Sequence, residues 1–242
     1  MTRQDGRTPA EIRPVSIETN FIRYPEGSVL ISCGNTKVIC NATVEEGVPG
    51  FLKGAGKGWV TAEYNMLPRA TQTRSPRDIS KLKLNGRAAE IQRLIGRALR
   101  SVTDLEGLGE RTVTIDCDVI QADGGTRCAS ITGAFCALVL ALDKLRSQGV
   151  FPTLPLYSYV AAISVGIVKD IPVCDLDYAE DSGGEVDFNF IMDDEGNIIE
   201  LQGTGEARPF SKRELDDMYL LAQKGIARLV EAQKKAVGHL FR

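Results

Sequence analysis

Arg111-Thr112-Val113-Thr114-Ile115-Asp116-Cys117-Asp118-Val119-Ile120-Gln121-Ala122-Asp123-Gly124-Gly125-Thr126-Arg127, followed by the apolar run from Ser130 to Leu145, is the stretch that decides how this chain folds. Val113, Ile115, Cys117 and Val119 alternate with Thr112, Thr114, Asp116 and Asp118, which is the period of a strand with one buried face. The run after the glycines behaves differently. Ile131, Ala134, Phe135, Leu138, Val139 and Leu142 leave it apolar almost all round, so the helix predicted from Ser130 to Leu145 lies at the centre of the molecule. Between them stands Asp123-Gly124-Gly125-Thr126-Arg127, a turn that must carry the chain from sheet to helix.

Outward from this segment the same signals repeat. Ser28 to Ser32 and Lys37 to Val44 read as strands joined by a Gly34-Asn35 hairpin turn. Phe51 to Gly58 is rich in Gly and Lys and reads as a loop, with a short strand from Gly58 to Tyr64. Pro68 to Pro76 is polar and predicts an exposed loop. From Arg87 to Ser101 the apolar residues Ile91, Leu94, Ile95, Ala98 and Leu99 fall on one helical face and Arg93, Arg97 and Arg100 on the other. Beyond the central helix, Tyr159 to Val168 is a buried strand. Phe188 to Met192 and Ile198 to Gln202 form a second hairpin around Asp194-Glu195-Gly196-Asn197. Ser211-x-x-Glu214 is a capping box opening an amphipathic helix through Val230. No linker or low-complexity segment interrupts this order. Residues 1–242 therefore read as a single α+β domain in which mixed β-sheets pack with α-helices.

The chain has 242 residues, 43% hydrophobic and 25% charged, enough to bury a core without disulfides or a structural metal. Six cysteines show no Cys-x-x-Cys spacing, and His239 is the single histidine. Zinc ligation and triad-type hydrolysis are thereby disfavoured, and acid–base work falls to carboxylates. Reduced buried thiols, an N-terminus without an apolar leader and no long uncharged apolar run lead to the expectation of a cytoplasmic protein without a membrane span.

The charge is unevenly placed. Residues 69–100 hold Arg69, Arg74, Arg77, Lys81, Lys83, Arg87, Arg93, Arg97 and Arg100 against Asp78 and Glu90, a formal +7 in a chain of net −3. Eleven acidic residues and no Lys or Arg lie between Asp170 and Glu200. A cationic surface beside an acidic one suits a polyanion processed with a metal ion. Two solvated faces that never meet fit the charges equally well.

Two candidate sites follow. Gly124-Gly125-Thr126-Arg127 before a helix offers backbone N–H groups, a positive dipole end and a guanidinium fork to an anion, though a plain turn has the same appearance. Arg87 projects into the apolar sector of its helix, either snorkelling at a frayed end or serving a cleft. Asp181 and Asp187, with Ser182-Gly183-Gly184 turning the chain between them, can hold Mg²⁺ through oxygen. They are also two of eleven acids, with Asp175 and Asp177 as near.

Gly86 to Arg97, Asp116 to Arg127, and Asp175-Leu176-Asp177-Tyr178 with Glu180-Asp181 and Asp187 resemble the motifs of the ribonuclease PH family, as do Gly58 to Tyr64 and Met66 to Thr71. The resemblance runs from Asp5-Gly6-Arg7 to the last helix. It implies a ribosomal protein S5 domain 2-like fold and a phosphorolytic 3′-to-5′ exoribonuclease. Such an enzyme trims the 3′ ends of tRNA precursors and other RNA, releases nucleoside diphosphates, and can run in reverse. It further implies inorganic phosphate as co-substrate on Arg87, Gly125, Thr126 and Arg127, with Ser130 nearby. Asp181 and Asp187 would bind Mg²⁺, or Mn²⁺, or act in catalysis, and Asp181 is the preferred proton donor. Arg69, Arg74 and Arg77 would contact RNA, and the assembly would be a homo-hexamer, a trimer of dimers. Cys128 stands where the family pattern leads one to expect Thr, and Gly183 and Gly184 where alanines are expected. A non-catalytic ring subunit, a hydrolytic nuclease on the same metal site and a small-molecule kinase are the rival readings.

Overall fold

A computed structural model describes residues 3–77 and 85–241. Asp78, Lys81 and Lys83, part of the basic stretch, lie outside the described residues. Strands β1 (Val15–Thr19), β2 (Gly27–Cys33), β3 (Thr36–Glu46), β4 (Trp59–Met66) and β5 (Arg111–Gln121) form one sheet in the order β1-β2-β3-β5-β4. All neighbours in it are antiparallel except β4 and β5. Strands β6 (Val160–Val168), β7 (Ile171–Cys174), β8 (Val186–Asp193) and β9 (Ile198–Gly205) form a second, antiparallel sheet in the order β7-β6-β8-β9. The helices are α1 (Gly86–Ser101), α2 (Leu105–Leu108), α3 (Thr126–Ser147), α4 (Tyr178–Gly183) and α5 (Lys212–Val237).

Helix α3 is the axle of the molecule. It lies against β2, β3 and β5 of one sheet and β6 of the other. Phe135, Leu138 and Leu142 are fully buried. Its length and apolarity would suit a membrane span, yet it is almost wholly enclosed by protein, as a core helix is. Both sheets contribute to one continuous apolar core, from Val29 and Ile115 on one side to Phe190 and Ile226 on the other. The two sheets thus share one interior.

Helix α3 begins at Thr126, four residues before the start predicted from its apolar run, because Gly125 supplies the left-handed N-cap and the polar Thr126 and Arg127 already belong to the first turn. Periodicity locates an apolar face, and polar first-turn residues do not register in it. Helix α5 starts at the predicted Ser211 cap, with both hydrogen bonds of the capping box made. Strands β1 and β7 and helices α2 and α4 were not read from the sequence, each being six residues or fewer.

Candidate active site

Where the N-termini of α1 and α3 meet the acidic segment of the second sheet, a cavity of about 50 Å³ is lined by Arg87, Gly125, Thr126, Arg127, Ser164, Asp181, Asp187 and Asn189. Arg87 enters from the first turn of α1, whose N-cap Asn85 accepts a 3.1 Å hydrogen bond from the Arg87 backbone N–H through Oδ1. The Arg87 side chain has no ion-pair partner among the described residues. It is exposed and lines the cavity, facing the acid pair across it.

The glycine pair is required by geometry. Gly124 has φ +74° and Gly125 φ +64°, which residues with side chains adopt at a cost. A Cβ on Gly124 would lie 2.5 Å from the Leu176 carbonyl oxygen and 2.6 Å from the Asp177 carbonyl carbon. The turn is thus pressed against the acidic segment. No side chain caps α3, so its first-turn N–H groups are left for another acceptor. The Thr126 hydroxyl is hydrogen-bonded to Tyr64 Oη at 2.8 Å. Arg127 is oriented by Gln202 Oε1 at 3.0 Å and Glu90 Oε1 at 3.3 Å. Ser130 stands behind the cavity-lining Thr126. It is fully buried, donates to the Thr126 carbonyl at 2.8 Å and is not among the lining residues, so it supports the first turn from behind.

Asp187 lies on β8, on the face opposite the buried Val186, Phe188 and Phe190. Asp181 does not precede a free turn. It sits within α4, which runs through to Gly183. Asp187 Oδ1 is buried without a hydrogen-bond partner. Burial, and then the charge of Asp181, push the Asp187 carboxyl up to about 6. Burial raises Asp181 as well, against the opposing pull of Arg87 and Arg127. Two crowded carboxylates with an orphaned oxygen are a donor set that a divalent cation satisfies. The competing acids are already committed. Asp175 is buried against Arg13, and Asp177 caps α4 by accepting from the Glu180 N–H at 2.9 Å.

The two charged regions do meet. Arg97 makes a bidentate pair with Glu200 at 2.7 and 2.9 Å, besides the convergence of Arg87 and Arg127 on the acid pair. Arg69, Arg74 and Arg77 are exposed on the β4–α1 connection, away from the lining of the cavity. Cys128 donates through Sγ to Asn189 Oδ1 at 3.2 Å, filling with a thiol the place where a hydroxyl was expected. An alanine fits at Gly183, while a Cβ at Gly184 would come 2.9 Å from the Glu180 carbonyl oxygen.

Ser164, Asn189 and Glu206 were missed in the sequence. Ser164 is the polar break in the apolar run of β6 and Asn189 lies between two buried phenylalanines, so both carried a legible signal. Glu206 follows β9 and acts on Asp181 and Asp187 only through tertiary proximity.

A fold of two sheets around a buried helix, with guanidinium groups and helix N–H donors facing a carboxylate pair, defines an enzyme built to handle phosphate groups, and the chain belongs to the 3′ exoribonuclease family. Models of that family match its domain 1 over residues 11–142 and its domain 2 over residues 158–225. Ribonuclease PH of Bacillus velezensis is 60% identical over 98% of this chain and 97% of its own length. Ribonuclease PH of Bacillus subtilis is 59% identical over the same shares. Among solved structures, rice (Oryza sativa) Rrp46 superposes with a TM-score of 0.78 at 19% identity, covering 97% of this chain and all of its own. The RNA-bound Archaeoglobus fulgidus exosome gives 0.80 at 23% identity over 95% and 91%. These two likenesses are of fold.

Proposed function

We propose that this chain, a phosphate-dependent 3′-to-5′ exoribonuclease, performs its chemistry in the cavity between Arg127 and Asp187. The reaction is RNA(n) plus phosphate giving RNA(n−1) plus a nucleoside diphosphate. The carrying observation is that one small cavity joins two guanidinium groups and an uncapped helix start to a carboxylate pair of which Asp187 Oδ1 is buried without a partner. The nucleophile arrives as phosphate, so no side-chain nucleophile is needed, in keeping with a chain whose single histidine lies at the far C-terminus.

Two anions must approach each other, and their repulsion is the barrier to be lowered. Arg87, Arg127, the Thr126 hydroxyl and the α3 first-turn N–H groups hold the attacking phosphate and offset its charge. Asp181 and Asp187 would hold Mg²⁺, or Mn²⁺, which would supply charge neutralisation at the scissile phosphoryl group. Burial raises both carboxyls, and one of the pair supplies the proton for the departing 3′ oxygen. The bond made resembles the bond broken, so nucleoside diphosphates drive the reaction backwards.

The exposed Arg69, Arg74 and Arg77 track the RNA backbone, and tRNA 3′ ends are the chief substrates. On the strength of the family resemblance we assign a homo-hexamer, a trimer of dimers, acting in the cytoplasm. Incubation with 3′-labelled RNA, with and without phosphate, tests the reading. Release of nucleoside diphosphate only when phosphate is present is expected, and phosphate-independent release of monophosphate refutes it.

A further inference from the structure

Beneath the glycine turn lies a buried arginine that the reaction does not touch. Arg13 lies two residues before β1, and its side chain is 6% exposed. Its Nε donates to Asp175 Oδ2 at 2.9 Å and its Nη2 to Asp175 Oδ1 at 2.6 Å, a complete fork. Its backbone N–H adds a 2.7 Å bond to the same Oδ2. Its remaining nitrogen, Nη1, donates to the carbonyl of Asp123, the residue that opens the glycine turn. A Cβ on Gly125 would sit 3.2 Å from Arg13 Nη2, so the guanidinium forms the floor under the α3 N-cap. Asp175 itself holds φ +56°, a conformation that a non-glycine residue keeps only when its surroundings enforce it. Asp175 N–H donates to the Ser164 carbonyl at 2.7 Å, and Ser164 lines the cavity.

The opposite wall is held by a second arginine. Arg3, fully buried in its side chain, donates to Glu180 Oε1 at 2.7 Å and Oε2 at 2.5 Å, and to the carbonyls of Cys174 and Asp175 at 2.7 Å each. Glu180 is the capping-box residue of α4 and immediately precedes Asp181. Buried ion pairs are poor sources of stability compared with apolar packing, since removing charge from water costs several kcal/mol. What a guanidinium fork supplies is fixed geometry.

We propose that Arg13 is a positioning residue for the phosphate half of the reaction: through Asp175 and the Asp123 carbonyl it sets where the Gly124-Gly125 turn presents the α3 N-terminus. Arg3 performs the matching task for the carboxylate half through Glu180. The inference rests on the phosphate site proposed above and deepens it. Neither arginine lines the cavity, so each acts through the groups it holds.

The test is steady-state phosphorolysis of a short RNA by the full-length protein, with phosphate and RNA varied in turn and thermal unfolding followed in parallel. Arg13→Lys keeps the charge but cannot make the fork. It should raise the KM for phosphate about tenfold or more while leaving the KM for RNA within about twofold, as expected for a small displacement of an anion site. Asp175→Asn, which keeps the side-chain bulk and leaves Arg13 in place, is the second variant and should show the same selective rise. Arg3→Lys should lower kcat with the phosphate KM unchanged. A fall in unfolding temperature with an unchanged phosphate KM in both Arg13→Lys and Asp175→Asn would make the contact merely structural and overturn the proposal, as would an equal rise in the two KM values. Wild-type trimming that ignores phosphate would instead sink the functional reading itself, and is seen before any variant is compared.

Discussion

Two groups of carboxylates stand side by side in the acidic segment and are treated in opposite ways. Asp175 and Glu180 are buried and saturated: Arg3, Arg7 and Arg13 surround them with ion pairs between 2.5 and 3.8 Å. Burial alone would raise the Asp175 carboxyl, but hydrogen bonds and charge from Arg13 outweigh it and hold it below the usual range. Asp181 and Asp187, only a few residues on, receive no hydrogen bond from the described residues and are raised. The same residue type is thus spent on architecture in one place and held in readiness in the other. An acid left unsatisfied at a cost to stability, beside acids that are fully paired, marks where the chemistry lies.

Asp187→Asn breaks the contrast from the reactive side. We expect the rate to fall by about 10³-fold or more, as the loss of a metal- and proton-handling group does. Without divalent cation the variant should also be more stable than the wild type above pH 6. The folded pKa of Asp187 lies above its unfolded value, so the native state binds the extra proton and loses stability as pH rises from about 4 to about 6. Removing the charge should recover about 1–3 kcal/mol in urea unfolding at pH 8. Normal activity, or lower stability, would count against the assignment.

Asp175→Ala attacks the paired side. It leaves Arg13 buried with its charge uncompensated, and unfolding should show a loss of about 3–5 kcal/mol. The sign with pH is reversed here. Because the folded pKa of Asp175 is depressed, its contribution is present above the ordinary carboxylate range and disappears as pH falls through the folded value. An acid-unfolding midpoint unaffected by the substitution would show that the pair carries no such linkage.

Arg127→Ala sharpens the comparison from across the cavity. Phosphate-dependent trimming should be abolished while RNA binding, followed by fluorescence anisotropy, is largely kept. Equal loss of both would reject a phosphate role. The smallest effect is expected from replacing Arg69, Arg74 and Arg77 together by Ala. RNA affinity should weaken, and the slope of log affinity against log salt should flatten by about 2 if all three contact single-stranded phosphates. An unchanged slope would take that loop off the RNA path.

Much of the fold was legible because its signals are local. The alternation of Val113 to Val119 gave β5 with its observed ends, Ser211 and Glu214 marked the start of α5, and the all-round apolarity after Ser130 identified the central helix. The site was legible in part. Arg87, Arg127, Asp181 and Asp187 line one cavity, and Ser130 stands behind its rim, where a serine inside the first turns of a helix bonds its own i−4 carbonyl. Short elements such as β7 and α4 escaped because so few residues carry too little periodicity.

By itself the sequence determined the alternating and helical segments, the glycine pair that permits positive φ, the supply of arginines and acids, and the membership of a family. Only the tertiary structure decided which acids are paired and which are left exposed to a ligand. Arg13 meets Asp175 across 162 residues and Arg3 meets Glu180 across 177, and charge neutralisation depends on distance in space, which no local pattern encodes.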